Sequence, residues 1–220
     1  MPSQTKENYL KAIYHLSEKN KQVSISDIAK VMGVSKPTIN NMVKKMQEQS
    51  WLHYQKYKPI ELTAKGKKMA ALIIRKHRLT EMFLTQVMHF GWEEVHDIAE
   101  EIEHLKSDVF FDRMDEILGF PKIDPHGSPI PDKQGNLVKI NAINLSKTSI
   151  GDKVMLSGLT ESTKELLLYL NKKNMQLGSV FTVQDIENFD KSYEVILENS
   201  NERIVLSSAV CKSLLVNVIS

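Results

Sequence analysis

Cysteine is almost absent from this chain of 220 residues, in which Cys211 is the single thiol. One cysteine excludes an intrachain disulfide framework and a cysteine-rich zinc site, and it favours a reducing compartment such as the cytoplasm. The first residues contain no apolar segment typical of a secretion signal, and no run of about 18 apolar residues predicts a membrane span. Hydrophobic residues still make up 41% of the chain, which is enough to form folded cores.

The formal net charge of +2 conceals an uneven distribution of charge along the chain. Residues 1–80 contain 16 Lys and Arg against 5 Asp and Glu, whereas residues 81–140 contain 5 against 13. Residues 141–220 are nearly balanced, with 8 against 9. A basic first third favours a polyanion such as DNA as a partner, and an acidic middle third favours cations or solvent.

Helical spacing and capping residues predict the first half of a helix-turn-helix within the basic third. Apolar residues at helical spacing predict a helix over 4–19. Ser24 followed by Asp27 is the capping-box pattern, and it predicts a second helix over 24–32. Gly33 then suits the turn, because glycine adopts the left-handed conformation at a helix end without strain.

The second helix of this motif and a wing follow directly. Ser35 caps a helix over 35–49, and two short runs at 51–55 and 59–62 predict the strands of the wing. Small polar residues at the start of such a helix can reach base edges, and lysines can meet phosphates. The DNA-contact candidates are Ser35, Lys36, Pro37, Thr38, Asn40, Asn41, Lys44, Lys56, Tyr57 and Lys58. The alternative interpretation of the same charges is a solvated basic face.

Helices continue through the acidic middle third, and strands follow them. Further helices are predicted over 64–88, 93–106 and 107–118. Runs rich in β-branched residues predict strands over 153–156, 179–183, 193–197, 203–206 and 214–219, with one helix over 160–174. The fold class is therefore a mainly α first part followed by a small C-terminal β-barrel. Cys211 is predicted to be a core residue of the last strand.

Histidines and carboxylates recur at helical spacing in the middle third. At about 100° per residue, the polar face of helix 93–106 carries two histidines and two glutamates. The candidate metal ligands from spacing are His77, Glu81, His96, Glu100, Glu103, His104, Asp124 and His126. Nitrogen and oxygen donors without thiolate favour Mn(II) or Fe(II). A glutamate-rich helix face is also common as plain solvated surface, so spacing alone leaves both interpretations open.

Several short motifs resemble the diphtheria-toxin-repressor family and, within it, the manganese-transport-regulator branch. They are RKHRL at 75–79, Glu81, VHD at 95–97, EH at 103–104, SD at 107–108, FPK at 120–122, PHG at 125–127 and IP at 130–131. The similarity covers about residues 5–135 and is weaker beyond them. The resemblance implies a metal-dependent repressor of metal-uptake genes that binds palindromic operator DNA as a homodimer. It also implies a winged helix-turn-helix domain at 1–63, a metal-binding and dimerisation domain at 64–140 and an SH3-like β domain at 141–220.

The family resemblance further implies two metal sites. The first would use His77, Glu100, Glu103, His104 and a residue of the first helix that falls on Asn8, where the family typically has Asp or Met. Glu7 is the alternative to Asn8. The second would use Glu81, Asp124 and His126, with His96 as a further candidate and either Glu161 or Glu165 as the last acid. Glu100 stands where the iron-responsive branch has Cys, which favours Mn(II) over Fe(II).

An apolar set in the helix over 107–118 is the candidate dimer surface. Its members are Phe110, Phe111, Met114, Ile117 and Leu118, and ordinary core is the alternative for them. Two other functions compete with a metal-dependent repressor. One is a winged-helix regulator that is not controlled by metal. The other is a metal-dependent hydrolase, but no nucleophile elbow or phosphate loop is present, so we expect no enzymatic activity.

Overall fold

A computed structural model describes residues 3–19 and 22–219 and divides the chain into two compact units. The first unit comprises Met1–Thr80, Ala99–Ile117 and Ile130–Val138, and the second comprises Glu81–Ile98, Leu118–Pro129 and Lys139–Ser220. Over the described residues, no helix combines the length and the apolar character needed to cross a bilayer.

Three helices form the start of the first unit: α1 (Gln4–Lys19), α2 (Ile25–Met32) and α3 (Lys36–Glu48). Their boundaries follow the predicted caps. The Ser24 side chain accepts a hydrogen bond from the Asp27 backbone while the Asp27 carboxylate accepts one from the Ser24 backbone. Gly33 ends α2 in the left-handed conformation, with φ of 65°. The predicted helix-turn-helix is therefore present.

The wing consists of β1 (Leu52–His53) and β2 (Glu61–Leu62), which are antiparallel and shorter than the predicted runs. Pairing stops at His53 because the chain turns between Gln55 and Lys58, where the Lys58 backbone donates to the Gln55 carbonyl. An isolated bridge between Val23 and Ile60, which the sequence did not predict, adds a third short segment to the wing.

The helices of the middle third are α4 (Ala64–Gln86), α5 (Val95–Ile102) and α6 (Asp108–Ile117). Apolar residues of α1, α2, α3, the wing and the start of α4 form one core, in which Leu10, Ile28, Ile39 and Val43 are fully buried. In the same unit Arg75 of α4 donates to Asp115 of α6 at 2.5 Å and to the Pro131 carbonyl at 2.8 Å. The buried ion pair holds α6 against α4, and the hydrogen bond holds Pro131 there.

The second unit contains a six-stranded antiparallel sheet. Its strands are β3 (Ile143–Asn144), β4 (Lys153–Leu159), β5 (Val180–Ile186), β6 (Tyr193–Leu197), β7 (Arg203–Leu206) and β8 (Leu214–Val218). They lie in the order β3-β8-β4-β5-β6-β7 and enclose the apolar core of this unit together with α7 (Lys164–Lys172). The predicted sheet-forming C-terminal part is therefore present, whereas its closure into a barrel stays a prediction.

Two elements of the second unit were not predicted from the sequence. The short strand β3 was not predicted, and neither was α8 (Ser208–Ser213). Cys211 lies in α8 rather than in the last strand, so its predicted element was wrong, although the residue is fully buried in the core as expected. Burial raises the pKa of the Cys211 thiol to about 12, which makes it an inert core residue.

Candidate metal centres and DNA-binding surface

The first candidate metal centre consists of His77, Glu100 and Glu103 and lies within the first unit. One potential ligand atom of each residue lies within 4.8 Å of the others. His77 comes from α4 and Glu100 from α5, while Glu103 directly follows the last residue of α5. The Nδ1 atom of His77 lies 2.7 Å from Glu103 Oε2, and both residues are buried.

Helix α1 adds the side chain of Glu7 to this centre, where it contacts His104. His104 Nδ1 lies 2.6 Å from Glu7 Oε2, and because a carboxylate only accepts, Nδ1 is the donor. The other ring nitrogen, Nε2, then carries the lone pair and lies 3.5 Å from Glu103 Oε1. A carboxylate that orients a histidine in this way is the usual companion of a metal-ligating imidazole.

Three buried side-chain polar atoms have no hydrogen-bond partner among the described residues, and two of them are Asn8 Oδ1 on α1 and His104 Nε2. Buried oxygen and nitrogen atoms are almost always paired, so each such exception requires an explanation. Both atoms are lone-pair donors, and both belong to residues that the family resemblance implies as ligands. The donor set of the first candidate metal centre therefore fits a divalent cation that prefers nitrogen and oxygen ligands.

Lys11, which the sequence analysis did not single out, also reaches this centre. Its Nζ contacts Glu100 and Glu103, and its side chain is only 13% exposed. Lys11 follows Asn8 by three positions on α1 and therefore shares its face. That spacing is the signal by which the sequence could have revealed it.

The second candidate metal centre consists of Glu81, Asp124 and His126 and lies within the second unit. All three residues are buried, and one ligand atom of each lies within 4.8 Å of the others. His126 Nε2 donates to the Trp92 carbonyl at 2.8 Å, and Nδ1, which lies 3.7 Å from Glu81 Oε2, carries the lone pair only when the ring is neutral. Burial alone would lower the pKa of His126, but the hydrogen bond and charge of Glu81 and the charge of Asp124 outweigh it and raise the pKa.

A tight turn holds Asp124 and His126 in place. Asp124 Oδ1 accepts hydrogen bonds from the backbones of His126 and Ser128 at 2.8 Å and 2.9 Å. Gly127 has φ of 86°, and a Cβ there would come within 2.3 Å of the Gly158 Cα atom. Only glycine therefore lets this turn lie against β4, and the Leu159 backbone donates to the His126 carbonyl at 3.0 Å.

Three further residues were predicted as candidate ligands of the second centre. His96 is exposed, and its Nδ1 lies 3.5 Å from Glu81 Oε1. Glu161 and Glu165 are both exposed, and neither joins a candidate ligand group in the part of the chain that the structure describes. The choice between them stays open.

Trp92 was not predicted; its ring stacks on His126, with centroids 6.1 Å apart, and its Nε1 donates to Asn171 of α7 at 2.7 Å.

Most of the predicted DNA contacts lie on the surface of α3 and the wing. Exposed positions are Ser35, Lys36, Pro37, Thr38, Asn41, Lys44, Lys56, Tyr57 and Lys58. Tyr57, at the wing tip, is 92% exposed. Asn40 is half-buried, and the Tyr54 hydroxyl donates to its Oδ1 at 2.8 Å, which ties the start of α3 to the wing. Ser35 serves as the N-cap of α3, with its side chain accepting from the Thr38 backbone.

These features define a class: a winged-helix DNA-binding protein with nitrogen- and oxygen-donor groups for metal ions. Two family models match this chain and indicate to which family within the class it belongs. The model of the "Iron dependent repressor, N-terminal DNA binding domain" family matches residues 1–60. The model of the "Iron dependent repressor, metal binding and dimerisation domain" family matches residues 63–132.

Individual relatives agree with these matches. The diphtheria toxin repressor of Corynebacterium glutamicum is 31% identical over 203 residues, which cover 92% of this chain and 87% of that protein. The iron-dependent repressor IdeR of Mycobacterium leprae is 38% identical over 127 residues. This match covers 58% of this chain and 55% of that relative, so the chain spans only about half of its length. A solved manganese-dependent transcriptional repressor in complex with manganese is 31% identical with a TM-score of 0.89, covering 97% of this chain and 99% of that one.

The chain therefore belongs to the diphtheria-toxin-repressor family of metal-dependent transcriptional repressors. The resemblance stated from the sequence motifs is confirmed. This family is not one of enzymes, so the hydrolase alternative is rejected.

Proposed function

We propose that this chain is a metal-dependent transcriptional repressor that binds operator DNA when Mn(II), or alternatively Fe(II), is bound. The observation that carries the proposal is the composition of the first candidate metal centre. It combines side chains from α1, from α4, from α5 and from the two residues that follow α5. Helix α1 itself belongs to the core of the DNA-binding part. A ligand at this centre therefore acts directly on the placement of α1.

The residues of the first centre would act as follows. Asn8, His77, Glu100, Glu103 and His104 would hold the cation, and Glu7 would orient the His104 ring without being a ligand itself. The cation would supply positive charge that neutralises the clustered carboxylates. Because α1 packs against α2 and α3 in one core, fixing α1 restricts the position of the α3 helix that reads DNA.

The donor chemistry favours manganese. Both candidate centres offer carboxylate and imidazole groups without sulfur, which suits Mn(II) and also accommodates Fe(II). Relatives are described both as iron-dependent and as manganese-dependent repressors. The second centre would use Glu81, Asp124 and His126, with His96 beside Glu81 and either Glu161 or Glu165 from the C-terminal part.

The operator would be a palindrome bound by a homodimer, and its genes would be those of metal uptake. Two recognition helices on a two-fold axis would meet successive major grooves about 34 Å apart. The exposed apolar residues of α6 support a dimer surface: Val109 is 72%, Phe110 43% and Ile117 64% exposed. Phe111 and Met114, which were also candidates for this surface, are buried, so they belong to the core beneath it.

The proposal also covers the domain boundaries, the fold of the C-terminal part and the cellular location. We retain the division into a DNA-binding domain at 1–63, a metal-binding and dimerisation domain at 64–140 and a β domain at 141–220. An SH3-like barrel is our interpretation of the C-terminal sheet, supported by its six antiparallel strands. The place of action would be the cytoplasm, where the operator DNA is.

The experiment that tests the proposal is a gel shift with a palindromic operator fragment. The full chain is incubated with chelator and then with Mn(II), Fe(II) or Zn(II) added back. We expect a shifted band with Mn(II), a weaker or equal one with Fe(II), and none with chelator. Equal binding by the metal-free and metal-loaded protein would favour a winged-helix regulator that is not controlled by metal.

A further inference from the structure

Lys11 places a positive charge inside the first candidate metal centre. Its Nζ lies 2.5 Å from Glu100 Oε1 and 2.7 Å and 2.8 Å from the two carboxylate oxygens of Glu103. Only 13% of the Lys11 side chain is exposed, and the Glu103 side chain is fully buried. The ammonium therefore contacts both carboxylates that a bound cation would also need.

The charges at this centre explain why an ammonium is stable there. Glu7, Glu100 and Glu103 contribute three carboxylates, and Lys11 compensates one of their charges. Burying a carboxylate without a counter-charge is costly, so Lys11 stabilises the metal-free arrangement. A divalent cation on the same carboxylates would lie within a few ångströms of the ammonium, and two cations at that separation repel strongly in a partly buried site.

We propose that Lys11 is an intramolecular competitor of the metal: its ammonium neutralises Glu100 and Glu103 in the metal-free protein and leaves them when a divalent cation binds. This inference rests on the proposed function, because it assigns a regulatory residue to the same metal centre. The four-carbon stem of lysine is flexible, so the ammonium can swing away while the α1 backbone stays in place. Lys11 would thus set the metal concentration to which the repressor responds.

The size of the effect follows from the fraction of metal-free molecules in which the carboxylates are available. If the ammonium occupies them in roughly 90–99% of molecules, the apparent metal affinity falls about 10- to 100-fold. A merely structural ion pair makes a different prediction. Its removal would destabilise the metal-free protein but would leave the metal affinity unchanged or weaker, whereas removal of a competitor strengthens it.

The test compares full-length wild-type protein with Lys11→Met, Lys11→Gln and Lys11→Arg variants. Lys67→Met, at an exposed position of α4, is the matched control for loss of one positive charge. Mn(II) binding is measured by calorimetric titration, Co(II) binding by visible absorption, and the Tm of each protein in chelator. We expect Lys11→Met and Lys11→Gln to bind Mn(II) at least about tenfold more tightly and to have a lower metal-free Tm. Lys11→Arg and Lys67→Met should bind as the wild type does.

The outcomes separate this inference from the proposed function. Metal binding by the wild type with equal or weaker binding by Lys11→Met and Lys11→Gln would overturn the competitor role and leave the proposed function standing. Wild-type protein that binds metal but not the operator would overturn the proposed function alone. Wild-type protein that binds no metal would overturn both. Failure of both neutral variants to fold even with Mn(II) present would also contradict a competitor, because a competitor is dispensable once metal is bound.

Discussion

His104 Nδ1 lies 2.6 Å from Glu7 Oε2, although the two residues are 97 positions apart in the chain. This hydrogen bond joins the first turns of α1 to the segment that follows α5. It also fixes the tautomer of His104, since the nitrogen that faces Glu7 must carry the proton. The second nitrogen is thereby left as a lone-pair donor at the first candidate metal centre. We therefore propose that Glu7 positions His104 and that Asn8 is the ligand from α1.

Replacing Glu7 with Ala should weaken Mn(II) binding about 10- to 100-fold, because the His104 ring loses the acceptor that orients it. Glu7→Gln should recover part of the affinity, since its amide oxygen still accepts from Nδ1. Calorimetric titration of the full chain gives the measurement, and Glu18→Ala at an exposed position of the same helix is the control. An affinity that does not change in Glu7→Ala would show that His104 needs no such partner.

Glu103→Ala and His104→Ala should each abolish Mn(II)-dependent operator binding and leave the fold intact. Glu103 contacts both His77 and Lys11, so its removal takes away the carboxylate common to the whole centre. Glu101→Ala, at the exposed position two residues earlier, should bind the operator as the wild type does. Gel shifts with and without Mn(II) measure the effect, and far-UV circular dichroism checks the fold. Variants that still bind with unchanged metal dependence would place the metal elsewhere.

Much of the DNA-binding part could be predicted because its signals are local. Ser24, Asp27 and Gly33 determine where α2 begins and ends through hydrogen bonds within one turn of the chain. The bridge between Val23 and Ile60 and the hydrogen bond from Tyr54 to Asn40 join distant residues, and no local pattern encodes them. The C-terminal α8 was missed because six residues hold too little periodicity to distinguish a helix from a strand.

The candidate ligands were found by spacing on single helices and by family resemblance. Spacing placed Glu100, Glu103 and His104 on one face of a helix, and their grouping with His77 depends on how α4 packs against α5. Lys11 was missed because its spacing three positions after Asn8 indicates a shared helix face only, and nothing local shows that its ammonium contacts buried carboxylates. Trp92 was missed because its backbone carbonyl accepts the hydrogen bond from His126, and every residue has such a carbonyl whatever its side chain.

Asn8→Asp should strengthen Mn(II) binding by roughly tenfold or more. It replaces a neutral amide oxygen with an anionic one at an atom that has no hydrogen-bond partner among the described residues. The same change should lower the Tm of the metal-free protein, since it adds a carboxylate to a centre that already holds three. Titration with Mn(II) and thermal melting in chelator measure the two effects, with Asn199→Asp in the exposed turn after β6 as the control. Weaker binding by Asn8→Asp would exclude position 8 as a ligand.

Lys36→Ala should weaken operator binding and reduce the slope of log affinity against log salt by about one unit, because one phosphate contact is lost. Lys36 is exposed at the first position of α3, where a side chain can reach the DNA backbone. Binding is measured by fluorescence anisotropy across a series of salt concentrations with Mn(II) held constant. Lys172→Ala, at an exposed position of α7, should leave both affinity and slope unchanged. A slope in Lys36→Ala identical to that of the wild type would remove this residue from the contact surface.

Phe110→Glu should convert the metal-loaded protein from a dimer into a monomer. Phe110 is 43% exposed on α6 beside Val109 and near Ile117, which are 72% and 64% exposed, so a charge there would be buried in any interface that covers these three residues. Sedimentation equilibrium gives the mass, and Val205→Glu, a position 59% exposed on β7, is the control for adding the same charge to an exposed apolar position elsewhere. Mn(II) titration should still detect the first candidate metal centre, because none of its residues lies on α6. Operator affinity should fall far more than metal affinity, since a monomer carries only one of the two recognition helices that a palindrome requires. A Phe110→Glu protein that stays dimeric would move the dimer surface away from α6.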